Sequence, residues 1–359
     1  MPPTLPQHQK EPVAATTASR SRRPVFAGLA AFSFFFCLVF VLSLRRSEFI
    51  QVKWKGAEGT SNSPELAPLT AEQYDPGQRS SFSDIIQLMD LPSTYIPETG
   101  KHRHSGRLVV VGDVHGMKDE LQALLDKVKF NKKHDHLILA GDMISKGPDS
   151  PGVVDLAMSL GATGVRGNHE DGVILADAEM NHKYMGTGSP DTSEDEDREQ
   201  HEVKLERLGH GDHNDRALVK ALGHKRMKWL KKCPVILRVG KLGSLGEVVV
   251  VHAGLAPGVE LKKQDPVMVM SMRTIDKGGV PSDGRNGIGW MKKTLPKHDR
   301  TTVIYGHDSK KGLQIKKYSL GIDTSCLKGG KLTAVVIEGG QSDHTHKLVH
   351  VNCKDGRGK

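Results

Sequence analysis

An α/β fold that carries a metal site is what the sequence predicts from about residue 106 onward, and three observations support it. Short apolar runs rich in Val, Leu and Ile recur at Leu108–Val111, Leu137–Ala140, Val248–Val251 and Val303–Tyr305, with the length and composition of buried strands. Between the first two, Met117–Phe130 sets Leu121, Leu124, Leu125 and Val128 on one helical face. Each apolar run also ends on a turn that bears an Asp or a His next to a Gly, so metal-binding side chains emerge where strands stop.

The elements follow in chain order. Residues 1–24 form a polar tail rich in Ser, Thr and Arg, with Glu11 its one acid. Val25–Leu44 carries no charge and reaches the ~20 residues needed to cross a ~30 Å hydrocarbon core, so it reads as a transmembrane helix. It starts too far from Met1 and runs too long for the apolar region of a cleaved signal peptide. Arg20, Arg22 and Arg23 precede it, and Arg45 and Arg46 follow it; a type II signal anchor with a lumenal domain is the favoured reading, and a mitochondrial presequence competes with it. Residues 45–105 contain Ser, Pro and Gly and read as a mostly irregular linker to a catalytic domain spanning 106–359.

Within that domain the turns are Gly112-Asp113-Val114-His115-Gly116, Gly141-Asp142-Met143, Gly167-Asn168-His169-Glu170, His252-Ala253-Gly254 and Tyr305-Gly306-His307. Any one alone is an ordinary strand-to-helix turn or a polar strand end. Five in succession, each after an apolar run, point to one shared site. Paired divalent metals ~3.5–4 Å apart can clamp the attacking and leaving oxygens of a phosphoryl displacement, and one carboxylate must bridge them. Mixed carboxylates and imidazoles suit Zn, Mn, Co or Fe better than Mg. An insert at about 180–235 separates the third turn from the fourth; it holds an acidic tract, Asp191–Glu202, and a basic helical stretch, Arg216–Lys232. It reads as a solvated loop and a surface helix, with a lid over the site as the competing reading.

In this order and with these glycines, the turns resemble those of the calcineurin-like metallophosphoesterase superfamily. Val165-Arg166-Gly167-Asn168-His169-Glu170 is similar to the phosphoprotein phosphatase branch. Gly321-Ile322-Asp323-Thr324 and Gly329-Gly330-Lys331-Leu332-Thr333-Ala334 are similar to relatives that hydrolyse diadenosine tetraphosphate. The resemblance implies an α/β/β/α sandwich of two mixed sheets flanked by helices. It also implies two divalent metal ions, one held by Asp113, His115 and Asp142 and the other by Asp142, Asn168, His252 and His307. Catalytic roles would fall to Asp142 and His169, and phosphate contacts to Lys146, Arg166 and Asn168. The chain departs from the pattern at Ser145-Lys146, where relatives carry Asp-Arg. Lys146 offers a point charge in place of a planar fork, and Ser145 replaces the carboxylate that orients the catalytic histidine. A weakened proton donor favours phosphoanhydrides, whose leaving group is itself a phosphate, over phosphoproteins.

Charge agrees with a polyanionic partner. The chain carries 51 Lys and Arg against 42 Asp and Glu, a formal net charge of +9, which suits a phosphate polymer or an acidic membrane surface. Nucleic acid is not expected, because stacking aromatics are scarce at 5% of residues and no zinc-finger or RNA-recognition spacing is present. Of four cysteines, Cys37 lies in the apolar span, while Cys233, Cys326 and Cys353 form no C-x-x-C pair and leave room for one bridge plus a free thiol. With the anchor, the basic domain and the tail motif together, the chain resembles the fungal vacuolar zinc-dependent endopolyphosphatases. That likeness implies cleavage within inorganic polyphosphate chains in the vacuole lumen. A Ser/Thr protein phosphatase or diadenosine tetraphosphatase is the alternative, and a non-catalytic membrane scaffold a further one.

Overall fold

The computed structural model describes residues 85–100, 106–185, 213–292 and 301–357. The apolar span 25–44, its flanking arginines, the acidic tract and most of the linker lie outside these residues. Among the described helices, none is long and apolar enough to cross a membrane.

Two mixed sheets form the body. The first contains β1 (Leu88–Asp90), β5 (Ile236–Lys241), β6 (Glu247–Val251), β10 (Thr301–Tyr305), β11 (Gln314–Lys316) and β12 (Ser319–Gly321), in the spatial order β1-β5-β6-β10-β12-β11. The second contains β2 (Arg107–Val111), β3 (His136–Leu139), β4 (Thr163–Gly164), β13 (Lys331–Gly339) and β14 (His344–Asn352), in the order β14-β13-β2-β3-β4. A small third sheet joins β7 (Thr274–Ile275), β8 (Pro281–Ser282) and β9 (Ile288–Gly289). β2, β3 and β4 run parallel, as do β6, β10 and β12, so their C-terminal ends open on common edges.

Strand alternation explains the layers. Leu108 and Val110 of β2 face a core that also takes Val248 and Val250 of β6 and Ile304 of β10, which glues sheet to sheet. Val109 and Val111 face the other way, onto the helices α1 (Lys118–Lys127), α2 (Ser150–Leu160) and α4 (His213–Leu230). The outer face of the first sheet, with Val249, Val251 and Val303, is covered by α5 (Pro266–Ser271) and Trp290. The central strands β2, β3, β6 and β10 are buried on both faces, so the sequence shows continuous apolar runs there instead of alternation. The architecture is the expected two-sheet sandwich.

The four strands and the helix read from the sequence are all present. Two readings differ from the structure. The fold begins before residue 106: β1 lies in the stretch read as irregular linker and pairs in parallel with β5, and Leu91 just after it is buried. Three residues are too few to show a strand period. The basic stretch read as a surface helix is α4, and it is half-buried: Val219, Leu222, Met227 and Leu230 enter the helical core. The helix breaks at Gly223, where φ is 66°, and this lets each half turn an apolar side inward.

Candidate metal centre

The site forms where the strand ends of both sheets meet. β2 delivers Asp113 and His115, β3 delivers Asp142, β6 delivers His252 and β10 delivers His307. Asn168 and His169 open α3 (Asn168–Met185). Backbone bonds lock these turns together: Val114 and His115 N–H both donate to Asp142 O, at 3.1 and 2.8 Å, and Gly306 N–H donates to His252 O at 2.8 Å. The turns are strained. Among the described residues seven non-glycine positions have positive φ, and five of them, His115, Asp142, Lys146, His307 and Ser325, line one cleft of about 750 Å³. Gly141, with φ 86°, permits a close approach, since a Cβ there would stand 2.7 Å from His252 Nδ1.

Asp142 is the centre of the arrangement. Its Oδ1 lies 3.2 Å from His252 Nε2, and its Oδ2 lies 3.6 Å from His115 Nε2 and 3.9 Å from His169 Nε2. Two groups of mutually close ligand atoms result, His115/Asp142/His169 and Asp142/His252/His307, and they share one buried carboxylate. The donor set fits two divalent cations with that carboxylate between them. The outer nitrogens are already committed. His252 Nδ1 donates to Ala140 O (2.9 Å), His307 Nε2 to Ser271 O (2.8 Å) and His115 Nδ1 to Ile144 O (3.2 Å), so the opposite nitrogen of each ring faces the centre. Asn168 Oδ1, 3.1 Å from His252 Nε2, completes that side.

The remaining expected residues divide. Asp113 stands beside both groups: His307 N–H donates to its two oxygens at 3.1 and 3.2 Å, and its Oδ2 is 4.0 Å from His115 Nε2. Lys146 Nζ contacts His169 Nε2 directly. Arg166 is placed otherwise than the phosphate-contact reading expects. It is buried, with Nη1 3.4 Å from Asp171 Oδ1 and Nη2 donating to Lys231 O at 3.3 Å, and it is not among the described side chains lining the cleft. It ties the start of α3 to the end of α4. Ser145 Oγ is buried without a hydrogen-bond partner among the described residues, so His169 takes its setting from Lys146 and from the edge of the His115 ring, 5.2 Å away between centroids.

Two functional residues were not singled out from the sequence. Asp323 lines the cleft and is buried beside Asp113; burial raises its pKa, and burial together with the Asp323 charge holds Asp113 well above the usual carboxylate range. It sits in Gly321-Ile322-Asp323-Thr324, the signal in the sequence that could have found it. Glu170 is fully buried and accepts four backbone N–H bonds, from Asp142 (2.8 Å), Gly167 (2.9 Å), Met143 (2.8 Å) and Ile144 (3.2 Å). Burial and the Asp142 charge nonetheless hold its pKa up at about 7.

Burial and neighbouring charge set the protonation of the centre. Burial opposes charge on His252, but the Asp142 carboxylate outweighs it and lifts the imidazole to about 10, while burial holds His169 down at about 4. His252 therefore stays protonated at neutral pH, its Nε2 proton directed at the acceptors a cation would use. Metal uptake must displace that proton. Zinc titration near pH 7 is expected to release about one proton through His252, and affinity should fall roughly tenfold per pH unit as the solution is acidified. Calorimetry in buffers of different ionisation enthalpy checks this; a buffer-independent heat would refute it. The stability sign follows. The folded pKa is raised, so the His252 contribution to the metal-free protein is complete below about pH 6.5 and is lost as pH rises through about 10.

The sandwich and the paired His/Asp groups define a metal-dependent phosphoesterase with a dinuclear centre. The chain belongs to the calcineurin-like phosphoesterase family, whose model matches residues 106–336. It is 29% identical over 273 residues to the zinc-dependent endopolyphosphatase of Saccharomyces cerevisiae, covering 68% of this chain and 80% of that one. It is 28% identical over 290 residues to the symmetrical bis(5'-nucleosyl)-tetraphosphatase of Dechloromonas aromatica, covering 64% of this chain and 91% of the relative. A crystal structure assigned to a diadenosine tetraphosphatase superposes with a TM-score of 0.55 at 28% identity, over 75% of this chain and 99% of that one.

The described fold also contains a disulfide, Cys326–Cys353, while Cys233 is free and buried. One bridge and one thiol is the arrangement the three domain cysteines left room for. Such bridges persist in oxidising compartments, which points away from the cytosol.

Proposed function

We propose that the chain cleaves phosphoanhydride bonds within inorganic polyphosphate, in an oxidising lumen to which the apolar span 25–44 anchors it as a type II protein of the vacuole membrane. The observation that carries this reading is the lining of the cleft. Lys146, Arg273, Arg285, Lys310, Lys328 and Arg357 lie along it, and no Phe, Tyr or Trp is among the described residues that line it. Such a surface suits a chain of phosphates and offers an adenine ring nothing to stack on. The cleft falls within the ~300–1,000 Å³ range of small-molecule sites.

When bound, the divalent cations supply Lewis acidity at the phosphoryl group and lower the pKa of water. The protein side chains do the rest. Asn168 and Lys146 hold oxygens of the reacting phosphate. His169, neutral at pH 7, accepts from the Lys146 ammonium and keeps that charge aimed into the cleft. Lys146 then offsets the charge on the departing phosphate chain, a leaving group that needs no strong acid. A serine alkoxide would need one, and this pairing is a poor source of it.

The test follows long-chain polyphosphate on gels with the full-length protein reloaded with Zn, Mn, Co or Mg, beside diadenosine tetraphosphate and a phosphoserine peptide. Mid-length products accumulating early, with slower turnover of the other two substrates, are the expected result. Turnover of the dinucleotide alone would assign the site to the other set of relatives, and faster peptide turnover would overturn the phosphoanhydride preference.

A further inference from the structure

The loop that leaves the metal centre at Asp323 is held by the segment that follows β14. Asp323 accepts from Ser325 N–H at 3.0 Å, Ser325 Oγ donates to Ser309 O at 3.0 Å, and the chain turns at Gly329, with φ 78°, before entering β13. Residues 353–357 lie along this turn. Cys353 N–H donates to Gly330 O and Gly356 N–H to Leu327 O, both at 2.9 Å, and Lys328 bridges antiparallel to Asp355. The Cys326–Cys353 disulfide closes the assembly. Gly356 leaves no space beneath it, since a Cβ there would collide with the Met117 thioether.

This bridged loop forms a wall of the cleft that also contains Asp142, Asn168 and His169: Ser325, Cys326, Leu327, Lys328 and Arg357 all line it. One end of the loop, Asp323, is at the metal centre, and Lys328, five residues on, carries charge on the wall. Lys328 lines the cleft on that wall. Arg357 is set by Asp355, whose carboxylate takes its Nε at 2.9 Å and also its Nη2, and its remaining N–H donors stay available. An irregular segment of this kind stays mobile unless tied down, and here a covalent bond ties it beside the site.

We propose that the wall bridged by Cys326–Cys353 is a second anion subsite, which takes phosphates of an extended chain beyond the one held at Asp142, with Lys328 and Arg357 as its specificity-determining residues. The inference rests on the polyphosphate reading for its ligand. It goes further in assigning chain-length selectivity to one bridged segment. Tripolyphosphate is served by the centre alone, whereas a long chain reaches the wall. The disulfide acts as a positioning device: it keeps two cations at a fixed offset from the centre, so binding a chain does not have to order them.

The test uses the full-length protein and measures binding of end-labelled long-chain polyphosphate by fluorescence anisotropy at 4 °C, with tripolyphosphate as competitor and the probe length checked on a gel. Lys328→Gln/Arg357→Gln is expected to weaken long-chain binding about tenfold and tripolyphosphate binding less than twofold. It should also flatten the dependence of log Kd on log salt, as loss of phosphate contacts does. Cys326→Ser/Cys353→Ser should give the same selective loss. Equal loss for both ligands, or no loss, would overturn the proposal. If thermal melting shows that the cysteine pair variant does not fold, the Gln pair decides alone. The two readings fail separately. A protein that turns over only dinucleotides yet shows the selective loss keeps the subsite, and one that cuts polyphosphate in mid-chain without the loss keeps only the activity.

Discussion

Asp142→Asn is expected to lower kcat on any phosphoanhydride substrate by at least about a thousandfold and to leave the protein with one bound metal or none. Its two carboxylate oxygens serve different groups, Oδ1 toward His252 Nε2 at 3.2 Å and Oδ2 toward His115 Nε2 at 3.6 Å. An asparagine keeps one oxygen and turns two N–H hydrogens toward the other group, so one cation loses its bridging ligand whichever way the amide lies. The several kcal/mol of charge stabilisation that a metal centre supplies goes with it, and each ~1.4 kcal/mol is tenfold in rate. The fold should survive, because the backbone of the turn is held by Glu170 and not by the Asp142 side chain. His252 should lose its reason for a pKa of about 10, so its imidazole returns toward the ordinary range. Metal analysis by mass spectrometry and an NMR titration of His252 check both parts. Two metals per chain with a rate within tenfold of wild type would contradict the central role of this carboxylate.

How much of this was legible in the sequence depends on the range over which each feature is determined. That Asp113, His115, Asp142, Asn168, His252 and His307 meet at one centre was legible because a residue of metal-binding type, a glycine and an apolar run are local neighbours. α1 was visible because one face of ten residues suffices to show its period. Other features are set by register between distant segments. β1 is recognisable only once β5 is beside it. The guanidinium of Arg166 follows from Asp171 and from the end of α4, 65 residues away, so proximity in sequence to Asn168 was misleading. The pairing of Cys326 with Cys353 needs β13 and β14 to fold back as a hairpin, which no cysteine spacing discloses. Glu170 belongs to the third turn motif, but its task is read only from the four N–H groups that converge on it. The departure at Ser145 was legible in the sequence: its hydroxyl does not reach His169, and Lys146 does.

Glu170→Ala is expected to lower the melting temperature by about 10 °C or more and to reduce activity more than a hundredfold, although Glu170 lines no part of the cleft among the described residues. Its Oε2 receives Asp142 and Gly167 N–H, and its Oε1 receives Met143 and Ile144 N–H, all in a fully buried setting. A buried N–H without a partner costs ~1–3 kcal/mol. Four such groups cannot all relax to water, so a loss of several kcal/mol is expected from a total that is ~5–15 kcal/mol for a typical protein. At ~2–4 °C per kcal/mol this gives the stated drop. Activity suffers for a second reason. Asp142 sits at φ 46°, a conformation costing of order 1–3 kcal/mol for a non-glycine residue, and the bonds to Glu170 hold it there. Without them the turn relaxes, and the shared carboxylate leaves the line between the two imidazole groups. Glu170→Gln separates the causes. It preserves volume, but its amide presents one oxygen and one NH2, so one pair of N–H groups meets donors instead of an acceptor. It should therefore resemble the alanine variant more than the wild type in both melting temperature and metal content. A glutamine variant with wild-type stability and two metals would mean that volume alone holds the turn, and the role given to the carboxylate would fall.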